Sequence, residues 1–518
     1  MPSTFLGIET SKRSLFAHQA ALNTAGHNIA NVDTEGYSRQ RVNLVTSRSI
    51  EAYGMNRSNT PGQLGTGVEF DSITRIRTTF LDDQFRNQNQ ALGSTEVQSD
   101  TLDKLQQVFN EPSDSGLREL IDKFWSSWSD LSNDPENISG RSVVAQNAIS
   151  LAQTFNQMSG QLSDLSSDLT TSVALDSDKI NSLGSSIADL NLQIHKVESL
   201  GDNANDLRDQ RDLYVDQLSK LVNVTVTEGD MGYTVAMGGT TLVDGENSTT
   251  VSAASLETAF QSGDLKGGSV YGALYARDNY VSDYSKQLDS LANTLVNGDV
   301  TVTLPSGTVL PEGTVLNGVT YTGASRTLTS DLTVTVKGLN GLHKLGYLPN
   351  TSPATAAGNF FVASDGGTIT AANIKLSSDI EKNPNLIASS MRTSGSPETV
   401  VSGNNTLALL AAQLKTGKFV ISGSSNNAVS EGTLDDYFQS LVGKLGVQAE
   451  TATTQTTNQQ ALVDQADSNR QSVSGVSLDE EMSDLIKFQH AYSSAARFMT
   501  TMDEVLDKLI NGTGVVGR

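Results

Sequence analysis

Apolar residues near the amino terminus recur every seven positions. Ile8, Leu15, Leu22 and Ile29 have this spacing, and the alanines between them allow a second helix to approach closely. Near the other end of the chain, apolar residues step by three and four. They are Leu485, Phe488, Tyr492, Ala495, Met499, Met502, Leu506 and Leu509. Both patterns predict amphipathic helices, each with one narrow apolar stripe, and we call the two stripes together the terminal seam.

The two terminal helices each present too little apolar surface to be buried alone. In one interpretation they pair with each other and then with further copies of the chain. In the other they form an ordinary hairpin that closes a globular domain. The heptad spacing is compatible with both interpretations.

A longer helical pattern runs from about residue 141 to residue 200. Its apolar residues again step by three and four, and the segment contains few glycines and no proline. A continuous helix of this length would measure roughly 85–90 Å at 1.5 Å per residue. Since globular enzymes rarely need so long a helix, the pattern indicates a rod.

The period changes from helical to two at Val222. The following stretch predicts a β-hairpin around Gly229-Asp230, and residues 300–336 alternate apolar residues with threonine between Gly298 and Gly338. This alternation, without a large apolar face, predicts a solvent-exposed β insert. Because helical patterns resume afterwards, the β region is predicted to be inserted into a helical body.

The sequence therefore predicts a mainly α fold with inserted β-rich domains: paired terminal coiled-coil helices, a long helical rod domain and a β-rich outer part. Residues 1–40 with 477–518 form the predicted terminal helical domain. Residues 41–222, 267–297 and 401–476 form the predicted rod domain, which includes an extended linker. Residues 223–266 and 298–400 form the predicted β-rich inserted region, in which 298–338 is a separate insert.

Composition restricts the class of partner. The chain has 518 residues, a formal net charge of -23 and no cysteine. Like-charge repulsion disfavours nucleic acid and anionic membranes. No stretch approaches the ~20 apolar residues of a membrane span, and the start lacks a Sec-type signal pattern, so we expect no membrane insertion. The absence of cysteine suits a chain that crosses between compartments unfolded.

Enzyme chemistry is not indicated by any motif. The sequence contains no zinc-protease, Walker, nucleophile-elbow or dinucleotide-binding pattern. The most site-like segment, residues 202–212, is rich in Asp and Asn but lacks the glycine and distal glutamate of a calcium loop. Its charges predict a helix start in which Arg208 faces Asp212. We therefore predict no catalytic residue, no metal and no cofactor.

A signature of amides and small residues follows the first helical pattern. It comprises Asn28, Ile29, Ala30, Asn31, Gly36, Tyr37, Ser38, Arg39 and Gln40. Gly36 is expected to end the helix, and the chain then continues as an extended link. Asn28 and Asn31 are expected to form hydrogen bonds along one helix face, although Asn31 also suits a simple helix C-terminal residue.

Several blocks of sequence carry a family resemblance. Besides the signature, they are Asn133-Asp134-Pro135 with Arg141, Asp209-Gln210-Arg211-Asp212, and Leu478-Asp479-Glu480-Glu481. Together they resemble the flagellar hook-associated protein 1 family, whose members form the first hook–filament junction of bacterial flagella. The Gly-Tyr-Ser-Arg-Gln ending of the signature points to this family among the axial proteins of the flagellum.

The resemblance implies a structural protein that joins hook to filament, is located outside the cell in the flagellum, and is exported by the flagellar type III pathway without a Sec signal. The implied partners are copies of itself, the hook protein, the second junction protein and a dedicated export chaperone. Candidate chaperone contacts are Phe488, Tyr492, Met499 and Leu506.

We expect both terminal helices to fold only on incorporation, because ordering costs roughly 1–2 kcal/mol per residue. The alternative is a secreted surface adhesin that uses the Thr-rich β insert.

Overall fold

The computed structural model describes residues 5–48, 65–109, 116–421 and 431–512, so the outer ends of the predicted terminal domain (1–4 and 513–518) lie outside the described residues. The helices are α1 (Leu6–Ala30), α2 (Thr79–Phe109), α3 (Leu117–Asn133), α4 (Ile138–Glu198), α5 (Asn205–Leu221), α6 (Ala253–Ser262), α7 (Ser269–Tyr275), α8 (Ser282–Asn297), α9 (Gly338–His343), α10 (Ser378–Lys382), α11 (Thr406–Gln413), α12 (Leu434–Ser474) and α13 (Leu478–Gly512). A π-helical turn, Ala276–Val281, joins α7 to α8.

The strands are short by comparison. They are β1 (Gln40–Thr46), β2 (Val68–Arg75), β3 (Thr225–Gly229), β4 (Gly232–Met237), β5 (Thr240–Asp244), β6 (Asn247–Ser248), β7 (Asp299–Leu304), β8 (Thr314–Leu316), β9 (Val319–Tyr321), β10 (Leu332–Lys337), β11 (Phe361–Ala363), β12 (Ile374–Leu376), β13 (Thr393–Ser394), β14 (Thr399–Val400), β15 (Phe419–Val420) and β16 (Glu431–Gly432). The predicted mainly α fold with inserted β-rich segments is therefore confirmed.

The chain folds into two compact units. The first comprises residues 1–96, 173–272 and 456–518, and the second comprises residues 97–172 and 273–455. Helices α2, α4 and α12 each contribute residues to both units.

The long helix predicted after residue 141 is confirmed as α4, a continuous helix of 61 residues. Its predicted apolar positions are buried along the whole length, from Leu151 and Phe155 to Leu190 and Ile194. Because these positions step by three and four, they form one stripe on the helix and leave the serine- and aspartate-rich face to solvent.

The first unit contains the predicted β-hairpin. Strands β3 and β4 pair antiparallel from Thr225↔Ala236 to Gly229↔Gly232, and β5 and β6 extend the sheet in the order β3-β4-β5-β6. Alternate side chains of β4 are buried. Strands β1 and β2 form a separate antiparallel ribbon that directly follows the signature, so the extended link predicted there is one strand of a pair.

The second unit is centred on an aromatic cluster. Phe124, Trp128 and Phe360 are all fully buried, and the centroids of the Trp128 and Phe360 rings lie 5.4 Å apart. Phe361 packs edge-on to Phe360 at 5.0 Å. Rings that meet at inclined angles add to the stability gained from burying their area. The chain's two tryptophans, Trp125 and Trp128, both belong to this unit.

The predicted β insert has the expected ends but a different environment. Strand β7 pairs with β10, and the N–H of Gly338 donates to the carbonyl of Gly298 at 2.7 Å, so the two ends of the insert meet. The expectation of an exposed segment without a large apolar face is wrong. Val300, Val302, Leu304, Val334 and Val336 are buried. Strand β7 also pairs with β15 in the sheet β10-β7-β15-β16, so a segment remote in sequence extends the sheet of the insert.

A buried histidine makes the second unit sensitive to acid. Burial lowers the pKa of His343 from 6.5 to about 4, although its Nδ1–H donates to the carbonyl of Gly358 at 2.8 Å. The imidazole Nε2 accepts from the Ala388 N–H at 3.1 Å and so cannot hold a proton without losing that bond. Between these two pH values the unfolded chain binds a proton that the folded unit excludes. Stability is therefore present above pH 6.5 and falls as pH drops towards 4, by up to about 1.4 kcal/mol per pH unit.

Urea denaturation followed by tryptophan fluorescence measures this directly, because Trp125 and Trp128 report the second unit. In a His343→Gln variant the free energy of unfolding should depend less steeply on pH between about pH 6.5 and 4.5. His490→Gln, which changes an exposed histidine, should leave this pH dependence unchanged. Equal slopes for wild type and His343→Gln would contradict the prediction.

Candidate assembly site

The signature begins in the last turn of α1, and the structure places the end of that helix earlier than predicted. Helix α1 ends at Ala30, and Asn31 caps it, since its Nδ2 donates to the His27 carbonyl at 3.0 Å and its Oδ1 accepts from Thr34 at 3.1 Å. Asn31 is thus a helix C-terminal residue, which was one of the two interpretations. Gly36 does not end the helix.

Gly36 lies instead in the turn that follows the cap. Its φ of +80° is left-handed, and a Cβ placed there would lie 3.1 Å from the Cβ of Leu213 on α5. Both the backbone angle and the close approach therefore require glycine at this position.

Asn28 is the centre of the signature. It is 1% exposed, and its side chain uses all its hydrogen-bonding capacity. The Nδ2 group donates to the Gln40 carbonyl at 2.9 Å and to Glu481 on α13 at 3.0 Å. The Oδ1 atom accepts from the Tyr37 hydroxyl at 2.8 Å and from the Gln40 N–H at 3.0 Å. One amide thus joins α1, the signature turn, β1 and the C-terminal helix.

Arg39 provides a second connection to α13. Its Nε donates to Glu481 at 2.6 Å, its Nη1 donates to Glu480 at 2.6 Å, and its backbone N–H donates to the Ser474 carbonyl at 2.8 Å. Burial opposes the charge of Arg39, but these carboxylates outweigh that effect and raise its pKa. We call Asn28, Arg39 and Glu481 the terminal lock.

The remaining signature side chains bind the start of α5. Gln40 donates to Asp206 at 2.6 Å, and the N–H of Ser38 donates to Asp209 at 2.8 Å. Burial, and secondarily the nearby Asp206 and Asp209, raise the pKa of Tyr37, so it stays a neutral donor to Asn28. The acidic segment after residue 202 therefore holds the signature in place.

The charges of α5 pair differently from the sequence prediction. Arg208 does not face Asp212; it donates to Glu198 at 2.6 and 2.7 Å and to Glu228 at 2.9 Å. Asp212 instead binds arginines from β2 and α2. Tertiary partners thus replace the predicted i, i+4 pair. The pairs of Asp212 are shielded from water, whereas those of Arg208 are partly exposed.

A buried ionic cluster lies beneath the signature. It consists of Arg75, Arg77, Arg86 and Arg470 with Asp82, Asp209, Asp212 and Asp216. Burial opposes ionisation of Asp212, but the guanidinium groups of Arg77, Arg75 and Arg86 outweigh it and hold its pKa below its ordinary value. Among the described parts of the chain, no group of three or more His, Cys, Asp or Glu side chains could hold a metal ion.

Sequence analysis missed this cluster. Three arginines within twelve residues of an otherwise acidic chain, at Arg75, Arg77 and Arg86, are a signal that could have indicated it. Asp82 lies five residues from Arg77, but the other aspartate partners lie about 130 residues away in sequence, so local spacing does not reveal the cluster.

Helices α1 and α13 pack against each other, and the structure shows where the terminal seam lies. On α13, Ala495 and Leu506 are buried; Leu485, Phe488, Met499 and Met502 are half-buried; Tyr492 and Leu509 are 37% and 45% exposed. On α1, the predicted stripe Ile8, Leu15, Leu22 and Ile29 is only half-buried. The buried face of α1 consists of small and polar residues, namely Ser11, Ala17, Ala21, Thr24, Ala25 and Asn28.

The helices approach closely because these residues are small. A Cβ at Gly7 would collide with the Met502 side chain, and the Phe488 ring centroid lies 6.4 Å from that of His18. Further large apolar side chains of α13, which sequence analysis did not identify, are exposed. At 3.6 residues per turn they lie on two sides of the helix, with Leu478, Met482, Ile486 and Ile510 on one side and Phe498 and Val505 on the other.

Comparison with known proteins identifies the class first. The family model described as "Flagella basal body rod protein" matches residues 8–37, and "Flagellar basal body rod FlgEFG protein C-terminal" matches residues 467–512. These segments contain the two paired helices. The fold and the site are thus those of an axial component of the bacterial flagellum.

The relatives define the family within that class. The model described as "Flagellar hook-associated protein FlgK helical domain" matches residues 102–298. Flagellar hook-associated protein 1 of Bacillus subtilis is 36% identical, with 100% of both chains covered. The Salmonella typhimurium protein of that name is 28% identical over 97% of this chain and 99% of its own. The chain belongs to the flagellar hook-associated protein 1 family.

A solved structure supports the fold. "The structure of the flagellar hook junction protein FlgK from Burkholderia pseudomallei" has a TM-score of 0.50 and 17% identity, covering 75% of this chain and all of that one. In the portion of the chain that the structure describes, no helix has both the length and the apolar character required to cross a membrane.

Proposed function

We propose that this protein is a structural, non-enzymatic junction between the flagellar hook and filament, built into the axial structure through its paired terminal helices. The observation that carries the proposal is the terminal lock. Asn28 and Arg39 both bind Glu481, so the N-terminal signature and the C-terminal helix form one unit. These are the two segments that match axial-protein families, and the similar Burkholderia pseudomallei chain is described as a flagellar hook junction protein.

The proposed assembly domain comprises residues 1–40 with 477–518, and its partners are copies of this chain, the hook protein and the second junction protein. The exposed apolar side chains of α13 support this. Met482 and Ile486 are each 50% exposed on one side of the helix, and Phe498 is 48% exposed on the other. Large apolar side chains exposed in this way are typical of protein–protein contact surfaces. In this proposal the helical rod domain and the β-rich region lie outside the assembly domain.

Export is proposed to use the flagellar type III pathway, without a Sec signal, and a dedicated chaperone that covers α13 beforehand. The candidate chaperone contacts are Phe488, Tyr492, Met499 and Leu506. Leu506 is 7% exposed when α13 is paired with α1. The chaperone would therefore bind α13 before that pairing forms, which agrees with terminal helices that fold on incorporation.

The adhesin alternative lacks support. It depended on an exposed Thr-rich insert, but β7 and β10 contribute a buried apolar face to the second unit. The relatives identified carry flagellar hook-associated names.

Deleting the gene tests the proposed function. We expect hooks without filaments and flagellin shed into the medium, because the filament would have no attachment point. Electron microscopy of the cells and immunoblotting of the medium measure both outcomes. Complementation with the wild-type gene serves as the control, and normal filaments in the deletion strain would refute the junction role.

A further inference from the structure

A polar cleft in the second unit has a buried arginine at its base. Arg141, in the first turn of α4, is 3% exposed. Its Nε donates to the Ile387 carbonyl at 3.1 Å and its Nη2 donates to the Ser389 hydroxyl at 2.9 Å. The Ser389 hydroxyl in turn donates to the Pro135 carbonyl at 3.2 Å. The guanidinium is therefore fixed in one orientation.

The charge of Arg141 is offset only through space, by the exposed carboxylate of Glu136, whose effect on the pKa of Arg141 is smaller than that of burial. Within the described residues it forms no ion pair with an Asp or Glu side chain, and its Nη1 has no hydrogen-bond partner yet remains accessible from the cleft. Every guanidinium in the arginine cluster beneath the signature is, by contrast, paired with aspartate. A buried, unpaired cation is costly, so a built site of this kind favours an incoming anion. Burial accordingly lowers the pKa of Arg141.

The walls of the cleft are mostly polar. The cavity measures about 600 Å³, and its lining includes Asn350, Thr351, Ser352, Thr399 and Ser402. Glu136, which is exposed, also lines the cleft. This volume accommodates a monosaccharide-sized molecule with bound water, since ligand cavities usually begin at about 300 Å³.

We propose that this cleft binds a small hydroxylated monocarboxylate of the sugar-acid class. The carboxylate accepts a charge-assisted hydrogen bond from Nη1 of Arg141, because Nε and Nη2 already donate to Ile387 and Ser389 and hold the guanidinium in place. The negative charge of Glu136 disfavours phosphate dianions. The hydroxyl and amide groups of Ser402 and Asn350 are suited to the ligand's hydroxyl groups. This site is separate from the assembly role proposed above and does not depend on it.

Isothermal titration calorimetry on the full chain tests the proposal with sodium glucuronate, sodium acetate, inorganic phosphate and glucose. We expect saturable binding of glucuronate, binding of acetate and phosphate that is at least about tenfold weaker, and no binding of glucose. Arg141→Lys keeps the charge but loses the planar guanidinium that Ile387 and Ser389 hold in place, and it should weaken glucuronate binding by about tenfold, the equivalent of one charge-assisted hydrogen bond. Arg118→Met is the matched control, because Arg118 pairs with Asp435 at 2.6 Å and does not line the cleft.

A second variant keeps the test decisive if Arg141→Lys fails to fold, which tryptophan fluorescence would show. Glu136→Gln changes only an exposed side chain, so it should fold and should tighten glucuronate binding by removing repulsion. The proposal is overturned if wild type shows no saturable glucuronate binding, if glucose or phosphate binds as well as glucuronate, if folded Arg141→Lys binds undiminished, or if Glu136→Gln leaves the affinity unchanged.

Discussion

An Asp212→Asn variant should lose about 3–5 kcal/mol of stability in the first unit, the usual cost of breaking a buried ion pair. The Asp212 side chain is 1% exposed and lies 2.8 Å from Arg75 and 3.3 Å from Arg86. Asparagine fills the same volume but supplies no charge, so four arginines would be left with three aspartates in the buried cluster. Urea denaturation followed by circular dichroism measures the loss.

The pH dependence of this stability loss shows whether the charge of Asp212 causes it. The arginines hold the pKa of Asp212 below its ordinary value of 3.8, so its stabilising contribution is complete above that pH and is lost as pH falls towards the folded-state pKa. The difference between wild type and Asp212→Asn should therefore stay constant near neutrality and shrink below pH 3.8.

Glu96→Gln is the control for Asp212→Asn. Glu96 pairs with Lys220 at 2.9 Å in the same unit, but their side chains are 36% and 47% exposed. Solvent screening limits such a pair to about 0–1 kcal/mol. Equal losses for Glu96→Gln and Asp212→Asn would mean that the buried cluster has no special role.

The sequence predicted those features that depend on local periodicity. Helix α4 and the amphipathic helix α13 follow from apolar residues at three- and four-residue steps, and the β3–β4 hairpin follows from alternation. Each of these patterns places residues on one face without knowledge of distant segments.

The α1 face was not predicted correctly, for a packing reason. The predicted stripe contains Leu15 and Leu22 because these residues are large and apolar. The face of α1 that is buried in the structure contains Ala21, Ala25 and Asn28. Close approach of two helices favours small residues at the contact, and the larger ones flank it. A heptad of large residues therefore identified the helix but not the side that it buries.

The buried polar contacts could not be read from the sequence at all. The partner of Asn28 is Glu481, which lies 453 residues away. Strand β7 pairs with β15, where Phe419 lies opposite Val300 although the two are far apart in sequence. Such contacts depend on tertiary structure, which local spacing and propensity do not determine.

A Phe488→Asp variant should abolish filament attachment and chaperone binding while leaving the second unit folded. Phe488 lies on the α1-facing side of α13 and lines a cavity of about 210 Å³ together with Ala25, Asn28 and Glu481. An aspartate there would put a carboxylate beside Glu481 and remove the apolar contact with His18. Like-charge repulsion and the lost burial both oppose pairing of the terminal helices. Electron microscopy should show hooks without filaments, and pull-down with the chaperone should fail.

Gln489→Asp is the matched control, because Gln489 is the exposed neighbour of Phe488 and the change adds the same charge. It should leave filaments and chaperone binding intact, and normal filaments on Phe488→Asp cells would show that the seam is not needed for attachment.

Hydrogen exchange on the wild-type monomer tests whether the two terminal helices are folded before assembly. Helices α1 and α13 order 25 and 35 residues, yet their buried apolar side chains are chiefly Ala17, Ala21, Ala25, Ala495 and Leu506. With an ordering cost of roughly 1–2 kcal/mol per residue, that burial is too small to hold the pair in a free subunit. Residues 5–30 and 480–510 should therefore exchange quickly while α4 is protected, and strong protection of both termini would show that they are folded before assembly.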